Sequence, residues 1–364
     1  NEQSSLLAFF EFLLTKKGRY MQTMKAVVVE DIGKVRVQEI EMPKCGDRDI
    51  ILGTKRCGIC STDYVRTQKT GFYHYPIVPG HEFCGVVVEK GSKIHNVDIG
   101  ERVAVYPLIP CKVCIYCKAG NYNLCDNYNF LGSRTHGGYA EFVRCPAENL
   151  VKLPDEVSFD EAAMVEPSSV ALHANKIAGR GNIVLVLGLG PIGQMALQWA
   201  KIFGAELVVG VDRHDNRIKI EKQLGVDQII DTRNVTATEA KDELTRGAGA
   251  DVVFECSGSD ELQKLGIRCT AKRGKMIVVG NPLRDLLAEK DLFSRIVRRE
   301  ILITGSWSSL TANKEWEESV RYIKDKRIQV TPVITHKVHL GDGERILDDM
   351  FNRRFEFCKV IFNI

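Results

Sequence analysis

Cys111, Cys114, Cys117 and Cys125 are spaced C-x2-C-x2-C-x7-C. Four thiolates at such spacing close a tetrahedral shell around Zn2+ and leave no position for a substrate, so this cluster is expected to hold a loop in shape. Chemistry on a substrate needs a second site with an open position. Residues for one stand elsewhere: Cys60 in Cys60-Ser61-Thr62-Asp63, His81 and Glu82 in Gly80-His81-Glu82, and Glu166 in Glu166-Pro167. The expectation is two zinc ions per chain, one structural and one catalytic.

A third pattern is Gly188-Leu189-Gly190-Pro191-Ile192-Gly193, a G-x-G-x-x-G run between a buried strand and a helix. In this setting Gly188 allows a tight turn, Gly190 lets backbone approach a pyrophosphate, and Gly193 lets helix pack on strand, with Pro191 opening the helix and its amides from Ile192 onward facing the phosphates. Asp212 closes the next strand about 20 residues on, where a carboxylate receives the adenosine ribose hydroxyls. It would repel a 2′-phosphate, so NAD is expected over NADP. Arg213 and Arg217 fall beside it, and a neighbouring arginine is also the residue type that serves a phosphate.

Two kinds of element must position these groups. From Lys25 to about Leu153 the chain reads as short β runs, Ala26-Val27-Val28-Val29, Val35-Arg36-Val37, Gly85-Val86-Val87-Val88, Arg102-Val103-Ala104-Val105 and Tyr139-Ala140-Glu141-Phe142-Val143. Gly, Pro and Asp punctuate them, which points to a β-barrel or sandwich with catalytic residues in its loops. After about Asn175 the pattern changes. Val184-Leu185-Val186-Leu187 is a continuous apolar strand, Ile192, Met195, Ala196, Trp199, Ala200 and Phe203 recur at helical spacing, and strand-like runs return at Leu207, Gln228, Asp251, Met276 and Ile301. That alternation predicts an α/β unit with a doubly wound parallel sheet. A helical stretch from Lys314 to Lys326 and a final Lys359-Val360-Ile361-Phe362 strand do not extend it, and they are expected to return to the first unit.

The chain has 364 residues, more than one core usually serves, and a formal charge of +3 with acids and bases interspersed. No basic stripe marks a nucleic-acid or membrane partner. Twelve cysteines, five of them at metal-ligand positions, with Cys45, Cys57, Cys84, Cys145, Cys256, Cys269 and Cys358 left as free thiols, favour a reducing cytoplasm. Leu6 to Leu14 is apolar apart from Glu11, too short to span a bilayer and without preceding basic residues, so it reads as a short helix in an N-terminal extension, residues 1–23.

Gly80-His81-Glu82-Phe83-Cys84-Gly85, with Gly91 and Ile94 at their spacing, reproduces G-H-E-x2-G-x5-G-x2-I. With the cysteine run and the later glycine motif in the same order, the chain from about Met24 onward resembles the zinc-containing medium-chain alcohol and polyol dehydrogenases. The resemblance implies a GroES-like β-barrel catalytic domain, residues 24–175 and 313–364, around a Rossmann NAD-binding domain, residues 176–312. It implies Cys60, His81 and Glu166 as ligands of the catalytic zinc, Glu82 behind the metal as an alternate ligand, and Asp63 orienting His81. Ser61 stands where the family commonly has glycine. Tyr128 to Arg134, Gly137-Gly138-Tyr139-Ala140-Glu141 and Arg298-Arg299-Glu300 leading to Gly305-Ser306-Trp307 are similar to galactitol-1-phosphate 5-dehydrogenases. Val65 occupies the place of a histidine usual in threonine and sorbitol dehydrogenases, and Arg66 after it matches an arginine of the galactitol-phosphate enzymes.

The activity so implied is reversible oxidation of a secondary alcohol of a polyol or polyol phosphate. Zinc acidifies the alcohol, NAD takes the hydride, Thr62 relays the proton, and Arg66 and Arg134 contact a phosphate. His136 and His173 receive no role. Family members are commonly homodimers or homotetramers. Three rivals are weighed against this: a dehydrogenase of an unphosphorylated polyol or other vicinal diol, an NAD-binding redox sensor without turnover, and a zinc ribbon on nucleic acid. The last is disfavoured because the Cys111 to Cys125 segment carries only Lys112 and Lys118 as bases.

Overall fold

The computed structural model describes residues 23–233, 247–282, 284–287 and 289–364. The expected extension lies outside them except for Thr23, as does the helix expected from Leu6 to Leu14.

Ile183–Leu187 is an unbroken apolar strand because it is covered on both sides. Val184 and Val186 enter one buried cluster with Trp199 and Leu172, while Leu185 and Leu187 enter another with Val209 and Met276. It sits third in a six-stranded parallel sheet ordered Gln228–Asp231, Leu207–Asp212, Ile183–Leu187, Ala250–Glu255, Thr270–Val278, Leu302–Gly305. In chain order this is 3-2-1-4-5-6, the doubly wound sequence whose direction reverses beside the first strand and opens a crevice there.

The second sheet has seven strands. Asp49–Ile59 lies between Lys359–Asn363 and Glu82–Lys90, followed by Arg102–Val105 and Leu150–Lys152, with Phe142–Pro146 also on Asp49–Ile59 and Ile334–His339 outside Lys359–Asn363. The last strand of the chain is therefore a neighbour of the strand that leads to Cys60. Thr23–Asp31 and Lys34–Glu41 form a hairpin tied on by bridges at Ala26–Ala140 and Val29–Ile77.

Helix Val165–Ala178 joins the two halves. Its Ser168 carbonyl and hydroxyl accept from Trp199 Nε1 at 3.1 and 3.2 Å, and Ser168 also meets Ser319 of helix Glu315–Lys324. Ala104 and Tyr106 of the mixed-sheet side share its buried cluster. Each large side chain buried here contributes about 1.5–3 kcal/mol.

One expected strand is shorter than its sequence pattern. Tyr139 to Glu141 are not in a strand; ladder pairing begins at Phe142, and Tyr139 is turned into the interior. No described helix is long and apolar enough to cross a membrane.

Candidate active site

Cys60 is the residue at which strand Asp49–Ile59 gives way to helix Ser61–Val65. The carboxylate of Asp63 reaches back to the Cys60 N–H at 3.1 Å and closes the first turn in the manner of a capping box. Thr67 Oγ1 donates to the Asp63 carbonyl at 2.7 Å, and the helix runs into a π-turn, Arg66–Thr70, where Gly71 N–H donates to Arg66 O at 2.9 Å. Such turns shift side chains out of helical register and are frequent at functional sites. His81 lies between Gly80 and the strand Glu82–Lys90, which pairs with the strand ending before Cys60.

Donor atoms of Cys60, His81 and Glu82 all lie within 4.8 Å of one another. A thiolate, an imidazole and a carboxylate are a donor set that zinc accepts, and three protein ligands leave a position open. The carboxylate of Glu166, in the first turn of helix Val165–Ala178, is not within that group. It faces the same charges, however. Burial pushes its pKa up to about 7, with Glu82 and Asp63 adding to the rise and His81 and Lys359 opposing it. Thr62 is half-buried on the helix turn after Cys60.

Behind these donors the polar groups are paired. His81 Nδ1 stands 3.2 Å from Asp63 Oδ1, close in distance though off the hydrogen-bond axis. With Nδ1 turned to the carboxylate, Nε2 is the ring nitrogen left for a metal. Burial alone would lower the imidazole pKa, but the Asp63 charge outweighs it and holds the value well above the ordinary one. The sequence patterns assign no role at the site to two partners of this region. Tyr139 Oη donates to Asp63 Oδ2 at 2.6 Å, and Lys359 Nζ pairs with Glu82 Oε2. Burial lowers the Lys359 pKa, yet the Glu82 charge carries it above the usual lysine value. The signal for Lys359 is a lysine opening an apolar strand. For Tyr139 it is Gly80, whose bare backbone leaves room for the ring, since a Cβ there would come within 2.4 Å of it.

The sulfurs of Cys111, Cys114, Cys117 and Cys125 also lie within 4.8 Å of one another. Backbone N–H groups of Val113 and Cys114 bring the Cys111 thiol down to about 6, whereas burial pushes Cys117 up to about 12. Four sulfurs at that separation suit a closed tetrahedral site. Asn123, in the same lobe, donates to the Trp307 carbonyl at 3.1 Å and lies 3.3 Å from His173 Nε2, whose Nδ1 is 3.1 Å from Glu315. His173 is thus a half-buried link between the lobe and helix Val165–Ala178, and His136 accepts from Val78 N–H at 3.1 Å.

At the crevice of the parallel sheet, Gly188 has φ +90° and a Cβ on Gly193 would come within 2.0 Å of Gly188 O, while a Cβ on Gly190 would meet nothing within 4 Å. A tight turn, a close helix contact and an open backbone edge are what a pyrophosphate cradle needs. Pro191 is the first residue of the following helix, Pro191–Ile202, and Ile192 is the next. The carboxylate of Asp212 is almost buried and accepts from Leu189 N at 2.7 Å, Arg213 N at 2.6 Å and His214 N at 2.9 Å, which ties it to the glycine turn. Arg217 Nη1 is 3.5 Å from it and Arg213 is exposed.

Arg66 and Arg134 converge on one ring. Their guanidinium carbons lie 5.2 and 4.3 Å from the centre of Tyr73, and Arg134 also stands 4.2 Å over Tyr128. Tyr128 packs on Phe130 at 6.3 Å and Phe130 on the His81 ring at 5.7 Å, so a chain of aromatic contacts leads from the imidazole to both guanidinium groups. Among the described residues neither arginine has a carboxylate partner.

Residues 46–155 match the model of the alcohol dehydrogenase GroES-like domain, and residues 191–325 match that of the zinc-binding dehydrogenases. The galactitol 1-phosphate 5-dehydrogenase of Escherichia coli K12 is 31% identical over 320 residues, covering 86% of this chain and 92% of that protein. The sorbitol dehydrogenase of Halalkalibacterium halodurans is 34% identical over 337 residues, covering 88% and 94%. Among solved structures, the galactitol-1-phosphate dehydrogenase from Escherichia coli superposes with a TM-score of 0.88 at 29% identity, covering 94% of this chain and 100% of that one. A short chain alcohol dehydrogenase from E. coli CFT073, solved with cofactor NADH, gives 0.85 at 26% identity, covering 94% and 100%.

Proposed function

The chain belongs to the zinc-binding alcohol and polyol dehydrogenases, a GroES-like domain joined to a Rossmann sheet, and on that footing we propose that it oxidises a secondary alcohol of a sugar-alcohol phosphate with NAD. The protein is an oxidoreductase that uses zinc and a nicotinamide dinucleotide, so a sensor without turnover is set aside.

The observation that carries the phosphate reading is the pair Arg66 and Arg134, two guanidinium groups on the ring of Tyr73, without a carboxylate among the described residues and joined by aromatic contacts to His81. Two half-buried guanidinium groups on one ring offer charge-assisted, bidentate bonds that a phosphate satisfies and a free hydroxyl does not. The E. coli relative named for galactitol 1-phosphate supports the same substrate class. A second reading is an unphosphorylated polyol or vicinal diol, favoured by the 34% identity to a sorbitol dehydrogenase.

We assign Cys60, His81 and Glu166, with Glu82 as alternate ligand, to the catalytic zinc, and the four cysteines of the Cys111 to Cys125 lobe to a structural zinc. When bound there, zinc would supply Lewis-acid polarisation of the alcohol and the dinucleotide would serve as hydride acceptor. Asp63 orients His81, and Thr62 Oγ1 takes the alcohol proton and passes it on. Gly188, Gly190, Pro191, Ile192 and Gly193 receive the pyrophosphate, Asp212 serves the ribose, and Arg213 and Arg217 flank it. Arg66 and Arg134 anchor the phosphate and so fix which carbon faces the metal.

We take residues 24–175 and 313–364 as the catalytic unit and 176–312 as the dinucleotide unit. The pairing of Lys359–Asn363 with Asp49–Ile59 supports this, and helix Val165–Ala178 spans the first boundary. A second copy is the expected partner, since the edge strand Leu302–Gly305 exposes Leu302 and Ile303 beside Phe293 and Val297. A reducing cytoplasm suits twelve cysteines of which none is in a disulfide.

The test is NADH formation from galactitol 1-phosphate, galactitol, sorbitol and threonine, with and without inorganic phosphate as competitor. The reading expects turnover of the phosphorylated substrate, slowed by inorganic phosphate. Turnover of free polyols alone, indifferent to phosphate, would select the second reading.

A further inference from the structure

Tyr139 is fully buried, and its placement is set from several sides. Its N–H donates to Pro79 O at 3.0 Å and its carbonyl accepts from Val27 N at 2.8 Å. The ring meets Phe362 edge-on at 4.8 Å and lies against the bare backbone of Gly80, where a Cβ would come within 2.4 Å of it. Such a ring has no second rotamer to visit. Its hydroxyl therefore has a fixed reach: Oη donates to Asp63 Oδ2 at 2.6 Å, and the Gly58 carbonyl lies farther off at 3.5 Å.

Asp63 is 1% exposed and turns its two oxygens to different tasks. Oδ1 faces His81 Nδ1 at 3.2 Å, while Oδ2 receives both Tyr139 Oη and the Cys60 N–H. If the phenol hydrogen bond is lost, Oδ2 keeps a single donor on a helix turn that itself carries Cys60, and the carboxylate plane facing the imidazole is no longer fixed from the rigid side.

We propose that Tyr139 is a positioning residue for the open metal site, its hydroxyl locking Asp63 so that Cys60 Sγ and the outward nitrogen of His81 are held ready for the ion. The inference rests on the reading of Cys60 and His81 as zinc ligands. Partners one step behind a metal ligand set its orientation, and their removal typically weakens metal binding about 10–100-fold.

The experiment is chelator competition on the full-length protein, measuring zinc affinity at both sites for wild type, Tyr139→Phe and Phe362→Leu. Tyr139→Phe keeps the ring and removes the hydroxyl, and it is expected to weaken the open site about 10–100-fold while leaving the four-cysteine site unchanged. Phe362→Leu disturbs the packing and keeps the hydroxyl, so it should lower the melting temperature without that selective loss. In an Asp63→Asn background, Tyr139→Phe should add nothing further, because the hydroxyl acts through the carboxylate. Zinc affinity of Tyr139→Phe within about two-fold of wild type, an equal loss in Phe362→Leu, or full additivity with Asp63→Asn would each overturn the proposal. Wild-type protein that binds zinc only at the four cysteines would overturn the site reading as well, whereas two zinc ions with an unaffected Tyr139→Phe would overturn this inference alone.

Discussion

Lys359 and Glu82, 277 residues apart in sequence, form an ion pair with 2% and 3% of their side chains exposed. Lys359 Nζ also donates to the Ile59 carbonyl at 3.3 Å, one residue before Cys60. The last strand of the chain thus supplies the counter-charge behind the first metal-site cysteine.

Breaking that pair leaves a buried carboxylate alone. Lys359→Met is expected to destabilise the fold by about 3–5 kcal/mol, and Glu82→Gln added to it should recover part of the loss. Urea unfolding of the single and double variants measures both. A single variant as stable as wild type would show the pair to be solvated.

Glu221 gives a pH dependence with a definite sign. It lies on helix Asp215–Leu224, is 1% exposed, has Oε1 without a hydrogen-bond partner, and burial pushes its pKa up to about 8. Between the ordinary glutamate range and about 8, the folded chain keeps this proton and the unfolded chain gives it up, so stability falls as pH rises through that window, by about 1.4 kcal/mol per pH unit at most. Glu221→Gln removes this dependence. Urea midpoints at about pH 6 and about pH 8 should differ less in the variant than in wild type, and equal differences would contradict the burial argument.

Arg66→Ala and Arg134→Ala should each raise KM for a sugar-alcohol phosphate about 10-fold or more, as lost charge-assisted bonds of about 1.5–3 kcal/mol require, and leave kinetics with free polyols nearly unchanged. Steady-state rates with both substrate types decide it. A parallel loss on both would mean that the arginines hold the loop rather than the phosphate.

The exposed edge at Leu302–Gly305 predicts self-association. Leu302→Lys with Phe293→Lys should convert the assembly to monomers in light scattering, without loss of folded signal, because both side chains are more than half exposed in the single chain. An unchanged mass would remove this edge from the interface.

Much of this architecture was readable from local pattern. Val184 to Leu187 and the glycine turn declare a strand buried on both faces and its following helix, since both signals are contiguous in sequence. The strand Asp49–Ile59 was less legible: DIILGTKRCGI breaks alternation with Gly53, Lys55 and Arg56, and its strand character comes from pairing on both sides by Glu82–Lys90, Lys359–Asn363 and Phe142–Pro146. Tyr139 looked like the start of a strand because aromatic and alternating residues follow it, yet its segment pairs only by a single bridge to Thr23–Asp31 at Ala26–Ala140, and the ladder on Asp49–Ile59 begins at Phe142. The candidate metal donors were visible as motifs because types and spacing are themselves the signal. Their partners were not, since Lys359 and Tyr139 reach the site only through contacts between distant segments. The sequence also does not foretell that Glu82, and not Glu166, lies within 4.8 Å of Cys60 and His81.

Anomalous scattering at the zinc edge from crystals of metal-replete protein tests the central claim most directly. Two peaks are predicted, one among Cys111, Cys114, Cys117 and Cys125 and one bound by Cys60 Sγ and His81 with a coordination position facing the dinucleotide crevice. A peak only at the four cysteines, under conditions where the protein turns over its substrate, would contradict the account.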